Sequence, residues 1–157
     1  MKVYFSLGTN LGDKERNLRL AVQKIEERIG KVVSLSAFYA TAPWGFSSEN
    51  MFLNAAVCVE TSLSPLSVLH LTQEIEQEIG RAHKSVNGIY NDRLIDIDLL
   101  LYEDRVLDTP ELKLPHPLMQ ERRFVMEPLA EIAPELVHPM LKKKMRELFQ
   151  TLIKDKA

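Results

Sequence analysis

The chain has 157 residues, 45% of them apolar and 27% charged, an ordinary balance for a soluble globular protein. Lys and Arg number 20 against 22 Asp and Glu, so the formal charge is −2, which argues against bulk electrostatic binding to nucleic acid. The lone Cys58 excludes an internal disulfide, no apolar run approaches the ~20 residues of a membrane helix, and residues 1–7 lack the form of a signal peptide. The expectation is a cytoplasmic protein of one domain, residues 1–157, monomeric, with no membrane and no nucleic-acid partner.

Residues 3–7 predict a short opening strand, and 8–13 a turn. Leu18, Ala21, Val22, Ile25 and Ile29 then recur at helical spacing, and Gly30 marks the stop. Residues 32–39 alternate as a second strand, 40–50 read as a loop, and 52–61 as a third strand. Ser64 and Pro65 open a second helix, a capping serine followed by a first-turn proline, with Val68, Leu71, Thr72, Ile75 and Ile79 on its inner face. A polar, basic stretch covers 81–93. Residues 94–102 form the most apolar strand, and Glu103-Asp104 predicts a tight hairpin turn into 105–107. Short proline-punctuated helical pieces follow Pro115, and a last amphipathic helix carries Leu141, Met145, Leu148, Phe149 and Leu152. The order strand, helix, strand, strand, helix, strand predicts an α+β fold with a ferredoxin-like βαββαβ core, an added C-terminal hairpin strand and helices.

The sharpest chemical feature lies in that apolar strand. Asp96 and Asp98 are i and i+2, so they share one face with α-carbons about 6.6–7 Å apart. Two carboxylates side by side among apolar residues repel each other and resist desolvation. A positive partner is expected over them, either a hard cation such as Mg²⁺ or paired arginines. Arg81, His83, Lys84 and Arg93 precede them closely, the composition a polyphosphate would want beside a metal. No Walker loop or dinucleotide fingerprint is present, so a nucleotide would bind through metal and side chains.

Two further groups stand out. Phe52 and Asn54 share a strand face, where a flat heterocycle could stack on the ring while the amide reads its edge; Thr41, Pro43 and Trp44 lie in the preceding segment. Gln73 and Glu76, at i and i+3 on the second helix, could line a pocket. His116 sits between two prolines, with Arg122 and Phe124 shortly after.

These segments, in order, are SLGTNLG at 6–12, FYATAPWG at 38–45, FLNAAV at 52–57, EQEIGR at 76–81, RLIDIDLL at 93–100, PHP at 115–117, RRF at 122–124 and PLAEIAP at 128–134. Together they resemble the 6-hydroxymethyl-7,8-dihydropterin pyrophosphokinases of folate biosynthesis, over about residues 3–138. The resemblance implies transfer of the terminal diphosphate of ATP to the pterin hydroxymethyl oxygen, with release of AMP and two Mg²⁺ ions held by Asp96 and Asp98. It also implies that Arg81 and Arg93 neutralise charge on the transferred group. Phe52 and Phe124 would sandwich the pterin and Asn54 would bond its edge, helped by backbone between Thr41 and Trp44. Gln73, Glu76, His83, Lys84, His116 and Arg122 would lie along the ATP. The chain carries Tyr90-Asn91-Asp92-Arg93 where the family usually has aromatic-Gly-Pro-Arg. The competing expectations are a Mg-dependent nucleotidyltransferase and a non-catalytic ligand-binding module.

Overall fold

The computed structural model describes residues 1–41, 51–81 and 94–154, the side chain of Arg81 excepted. Strand β1 (Lys2–Thr9) leads to helix α1 (Lys14–Arg28), then β2 (Lys31–Leu35), β3 (Tyr39–Thr41), β4 (Phe52–Glu60), α2 (Pro65–Arg81) and β5 (Asp96–Tyr102). Two short strands follow, β6 (Leu107–Asp108) and β7 (Lys113–Leu114), then a 3-10 turn (Met119–Glu121), α3 (Arg123–Ile132) and α4 (Met145–Lys154). The main sheet is antiparallel with spatial order β2-β4-β1-β5, and β3 also pairs with β4.

Alternation along the strands divides the apolar side chains between two cores. Val3, Phe5, Leu7, Ala55, Val57, Val59, Ile97 and Leu99 pack against Leu18, Ala21 and Ile25 of α1 and Val68, Ile75 and Ile79 of α2. Tyr4, Ala56 and Cys58 point the other way, onto Val125, Met126 and Leu129 of α3 and Met145 and Leu148 of α4. Each fully buried aliphatic side chain contributes roughly 1.5–3 kcal/mol. The helices start as their sequences dictate: the Asp13 carboxylate accepts the Arg16 N–H at 3.1 Å, and the Ser64 hydroxyl accepts that of Ser67 at 3.3 Å. Between α1 and α2, Glu78 holds Arg28 and, at 3.4 Å, Lys24.

Four expectations change. The predicted strand over 32–39 is two strands. Ser36 interrupts it by bonding β4 with its side chain as well as its backbone: its N–H donates to the Ala56 carbonyl at 3.0 Å and its hydroxyl accepts the Ala56 N–H at 2.9 Å. The expected loop from residue 40 starts later, because Ala40 and Thr41 pair with Leu53 and Phe52. Residues 105–107 do not fold back on β5. Instead β6 pairs with β7, and the outer edge of β5 is met by the His116 N–H, which donates to the Leu100 carbonyl at 2.9 Å. Leu141 lies outside α4 and is exposed, because the turn before the helix is built on His138 and carries Lys142 at φ 60°. No helix among the described residues is long and apolar enough to cross a membrane.

His138 shows how that turn is made. Its Nδ1 accepts the N–H groups of Met140 (3.2 Å) and Leu141 (3.1 Å), which fixes the proton on Nε2. The ring is 3% exposed, and burial pushes its pKa below the ordinary 6.5.

Two outcomes follow from these contacts. A Cβ on Gly30 would stand 2.0 Å from the Glu60 carbonyl oxygen, whereas one on Gly80 meets nothing within 4 Å. In urea denaturation Gly30→Ala should cost about 3 kcal/mol or more, and Gly80→Ala should gain about 0.5–1 kcal/mol. For His138 the folded state binds fewer protons than the unfolded chain, so its contribution is complete above pH 6.5 and is lost as pH falls toward the folded pKa. Denaturation midpoints should fall with acidification below about 6.5, and His138→Gln, which keeps an acceptor, should flatten that slope.

Candidate functional site

The site is set by the register of three strands. Gly8 on β1 pairs with Asn54 on β4 and with Asp96 on β5. Ser6 pairs likewise with Ala56 and Asp98. Paired residues in antiparallel strands face the same way, so Asn54, Asp96 and Asp98 lie on the face that α3 and α4 cover elsewhere. Tyr39 pairs with Asn54, and Thr41 with Phe52, which extends this face by one strand. Two strand spacings separate Asn54 from Asp96, or roughly 10 Å.

Gly8 lies between them for a steric reason. A Cβ there would come within 2.9 Å of Asn54 Oδ1. The Asn54 side chain is 2% exposed and donates from Nδ2 to Thr41 Oγ1 at 2.8 Å, leaving Oδ1 over the glycine. Both aspartates are half-buried. The strand beneath them is anchored from two directions. The Glu76 carboxylate accepts the Ile97 N–H at 2.7 Å, between the two aspartates. The Thr9 hydroxyl donates to the Leu94 carbonyl, and the Asn17 amide binds both Thr9 Oγ1 (3.3 Å) and the Leu11 carbonyl (2.9 Å). Sequence reading finds the SLGTNLG motif without finding this latch, because Leu94 lies 85 residues away.

His116 is half-buried and electrostatically coupled to Asp98 and Arg122. Burial lowers its pKa below 6.5, the Asp98 charge pulls it back up, and Arg122 adds a smaller downward push. Its Nδ1 is buried with no hydrogen-bond partner in the structure. The Arg122 guanidinium stands 5.9 Å from the centre of the Phe124 ring, which is 38% exposed at the start of α3. Gln73 is exposed on α2, one turn before Glu76. Pro43, Trp44, His83, Lys84, Arg93 and the Asn91-Asp92 pair lie outside the described residues, as does the Arg81 side chain at the end of α2.

Among the described residues no three His, Cys, Asp or Glu side chains form a closed metal cage. The donor set present is a carboxylate pair. That fits a hard ion such as Mg²⁺, which takes one or two carboxylates and completes its shell with water and phosphate oxygens.

A family model described as 7,8-dihydro-6-hydroxymethylpterin-pyrophosphokinase (HPPK) matches residues 4–134. The 2-amino-4-hydroxy-6-hydroxymethyldihydropteridine pyrophosphokinase of Porphyromonas gingivalis is 50% identical over 138 residues, which cover 87% of this chain and 93% of that protein. The protein of the same name from Aquifex aeolicus is 39% identical over 145 residues, 92% of this chain and 88% of its own. The solved structure of Plasmodium falciparum HPPK-DHPS superposes with a TM-score of 0.78 at 17% identity, over 98% of this chain. The chain spans 45% of the length of that solved chain, and at this identity the likeness speaks to the fold alone. With the family model matched over residues 4–134 and a half-identical relative of nearly the same length, the chain belongs to the 7,8-dihydro-6-hydroxymethylpterin-pyrophosphokinase family.

Proposed function

We propose that the protein transfers the terminal diphosphate of ATP to the hydroxymethyl oxygen of 6-hydroxymethyl-7,8-dihydropterin and releases AMP. The observation that carries this reading is the cross-sheet row, in which a heterocycle-reading amide, Asn54, and a carboxylate, Asp96, share one face two strands apart. That spacing suits a substrate recognised at its ring edge whose hydroxymethyl oxygen attacks the phosphate held beside the aspartates. The sheet order β2-β4-β1-β5, with α1 and α2 packed together on one face, supports a ferredoxin-like core as its scaffold.

In this reading Phe52 and Phe124 stack on the two faces of the pterin. Asn54, bonded to Thr41, meets the ring edge, helped by backbone groups between Thr41 and Trp44. Asp96 and Asp98 would hold two Mg²⁺ ions. Bound there, the ions would neutralise the phosphates and align them with the acceptor. The hydroxymethyl oxygen forms a bond to the β-phosphorus as that phosphorus releases the α,β-bridging oxygen. AMP leaves with that oxygen, and the hydroxyl proton passes to solvent. Arg81 and Arg93 offset charge on the group in transit, while Gln73, Glu76, His83, Lys84, His116 and Arg122 line the nucleotide. Because its pKa is depressed, His116 is neutral at pH 7 and offers a directed hydrogen bond, leaving the positive charge to Arg122. Glu76 contributes through β5: its bond to the Ile97 N–H sets the strand on which both aspartates ride.

The direct test incubates purified protein with ATP and Mg²⁺, with and without the pterin, and separates the nucleotides by chromatography. AMP formed only with pterin present is the expected result. ADP, or AMP without pterin, overturns the reading. Asp96→Asn and Asp98→Asn should each lower kcat by roughly 10²–10³-fold or more, the scale for removing one preorganised electrostatic group. Their melting temperatures should stay within about 4 °C of the parent, equivalent to roughly 1 kcal/mol or slightly more at this chain length. Unfolding of both variants would instead mark the pair as structural.

A further inference from the structure

The charges of α3 are arranged against its dipole. A helix favours acids at its first turn and bases at its last. Here the first turn has no acidic residue, the cap residue is Arg122, and its side chain makes no capping bond. Glu131 sits in the last turn, where a carboxylate faces the negative end. Arg122 has a use in the site already described. The placement of Glu131 calls for its own explanation.

Its bonds supply one. Glu131 accepts the Tyr39 hydroxyl at 2.5 Å and the Ala37 N–H at 3.1 and 3.2 Å, one contact from each carboxylate oxygen. Ala37 lies in the gap between β2 and β3, and Tyr39 opens β3. β3 is only three residues long and, among the described residues, pairs with β4 alone. A strand so short has little ladder of its own to hold it. Yet it carries Thr41, which positions the Asn54 amide, and Tyr39 itself is the register partner of Asn54.

The same face of α3 continues to the pterin site. Phe124 and Glu131 are seven residues apart, which is two helical turns, one above the other at roughly 10 Å. One end of this face is fastened to β3 and the other presents the exposed Phe124 ring. We propose that Glu131, through Tyr39 and Ala37, is a positioning residue that fixes the gap between the Thr41–Asn54 wall and Phe124, and so sets affinity for the pterin ring. This inference rests on the pterin-binding reading given above. The Tyr39 phenol is pushed up to about 12, first by its bond to Glu131 and then by burial, so the hydroxyl remains a donor throughout the working pH range.

Calorimetry with the pterin, in the presence of a non-hydrolysable ATP analogue and Mg²⁺, tests it. Titration of the analogue alone serves as the second readout. Glu131→Ala should weaken pterin binding about tenfold while analogue binding changes less than about twofold. Tyr39→Phe, which deletes only the hydroxyl, should give a loss of about threefold. Glu131→Gln keeps an acceptor oxygen and should restore affinity to within about threefold of the parent. Pterin binding by Glu131→Ala and Tyr39→Phe as tight as the parent overturns the inference. Equal weakening of both ligands also overturns it, because that is what general loosening of the fold would do. A parent protein that binds no pterin would overturn the underlying site reading, and the positioning role with it.

Discussion

The register of β1 between β4 and β5 is the constraint on which the rest depends. A strand alternates its side chains with a period of two, so a slip of one residue would turn every side chain to the other face. In this register Phe5 and Leu7 enter the α1–α2 core while Ser6 and Gly8 face the site. Sliding β1 by one position would put Leu7 beneath Asn54 and remove the space that Asn54 Oδ1 occupies over Gly8. The apolar stripe therefore does two things at once. It holds the core together, and it keeps Ser6 and Gly8 on the face where Asn54 and Asp96 stand opposite each other.

The strand carrying the two aspartates is at the edge of the sheet, where unpaired backbone groups invite association with other chains. This molecule covers that edge with groups from its own site. Glu76 takes the Ile97 N–H, and His116 donates its N–H to Leu100. The second contact also brings the imidazole into the field of Asp98 and Arg122. Edge protection and site assembly are thus the same contacts. The Glu76 carboxylate accepts a backbone donor on the strand that carries both aspartates.

Local periodicity made parts of this legible and left others hidden. The i, i+2 spacing of Asp96 and Asp98, and of Phe52 and Asn54, is a property of any extended chain, so their shared faces could be read directly. The helix start at Ser64 was legible for the same reason, because a cap bonds within three residues of itself. What local patterning could not reveal was the register between distant strands. That Asn54 looks across Gly8 to Asp96 depends on two ladders between distant segments. That β6 pairs with β7, while the β5 edge receives the His116 N–H at Leu100, rests on a segment further along the chain. The break at Ser36 hides in a run that alternates well, because the interrupting bonds are to Ala56, twenty residues on.

The two faces of the sheet express different priorities. On the α1–α2 side Val3, Phe5, Leu7, Ala55, Val57, Val59, Ile97 and Leu99 are apolar and almost wholly buried, as packing alone would choose. On the other side the apolar core is confined to the Tyr4, Cys58 and Leu101 end, and the row beyond it holds Ser6, Asn54, Asp96 and Asp98. Polar groups in such positions cost desolvation unless each finds a partner. Asn54 finds Thr41, so the polar half is held by a specific bond where the apolar half is held by area. Bonds of this kind fix direction as well as distance, whereas apolar contacts fix only proximity. A face meant to orient a flat ring and a polyphosphate needs the former. The apolar face opposite supplies the stability that lets the polar face be built for geometry.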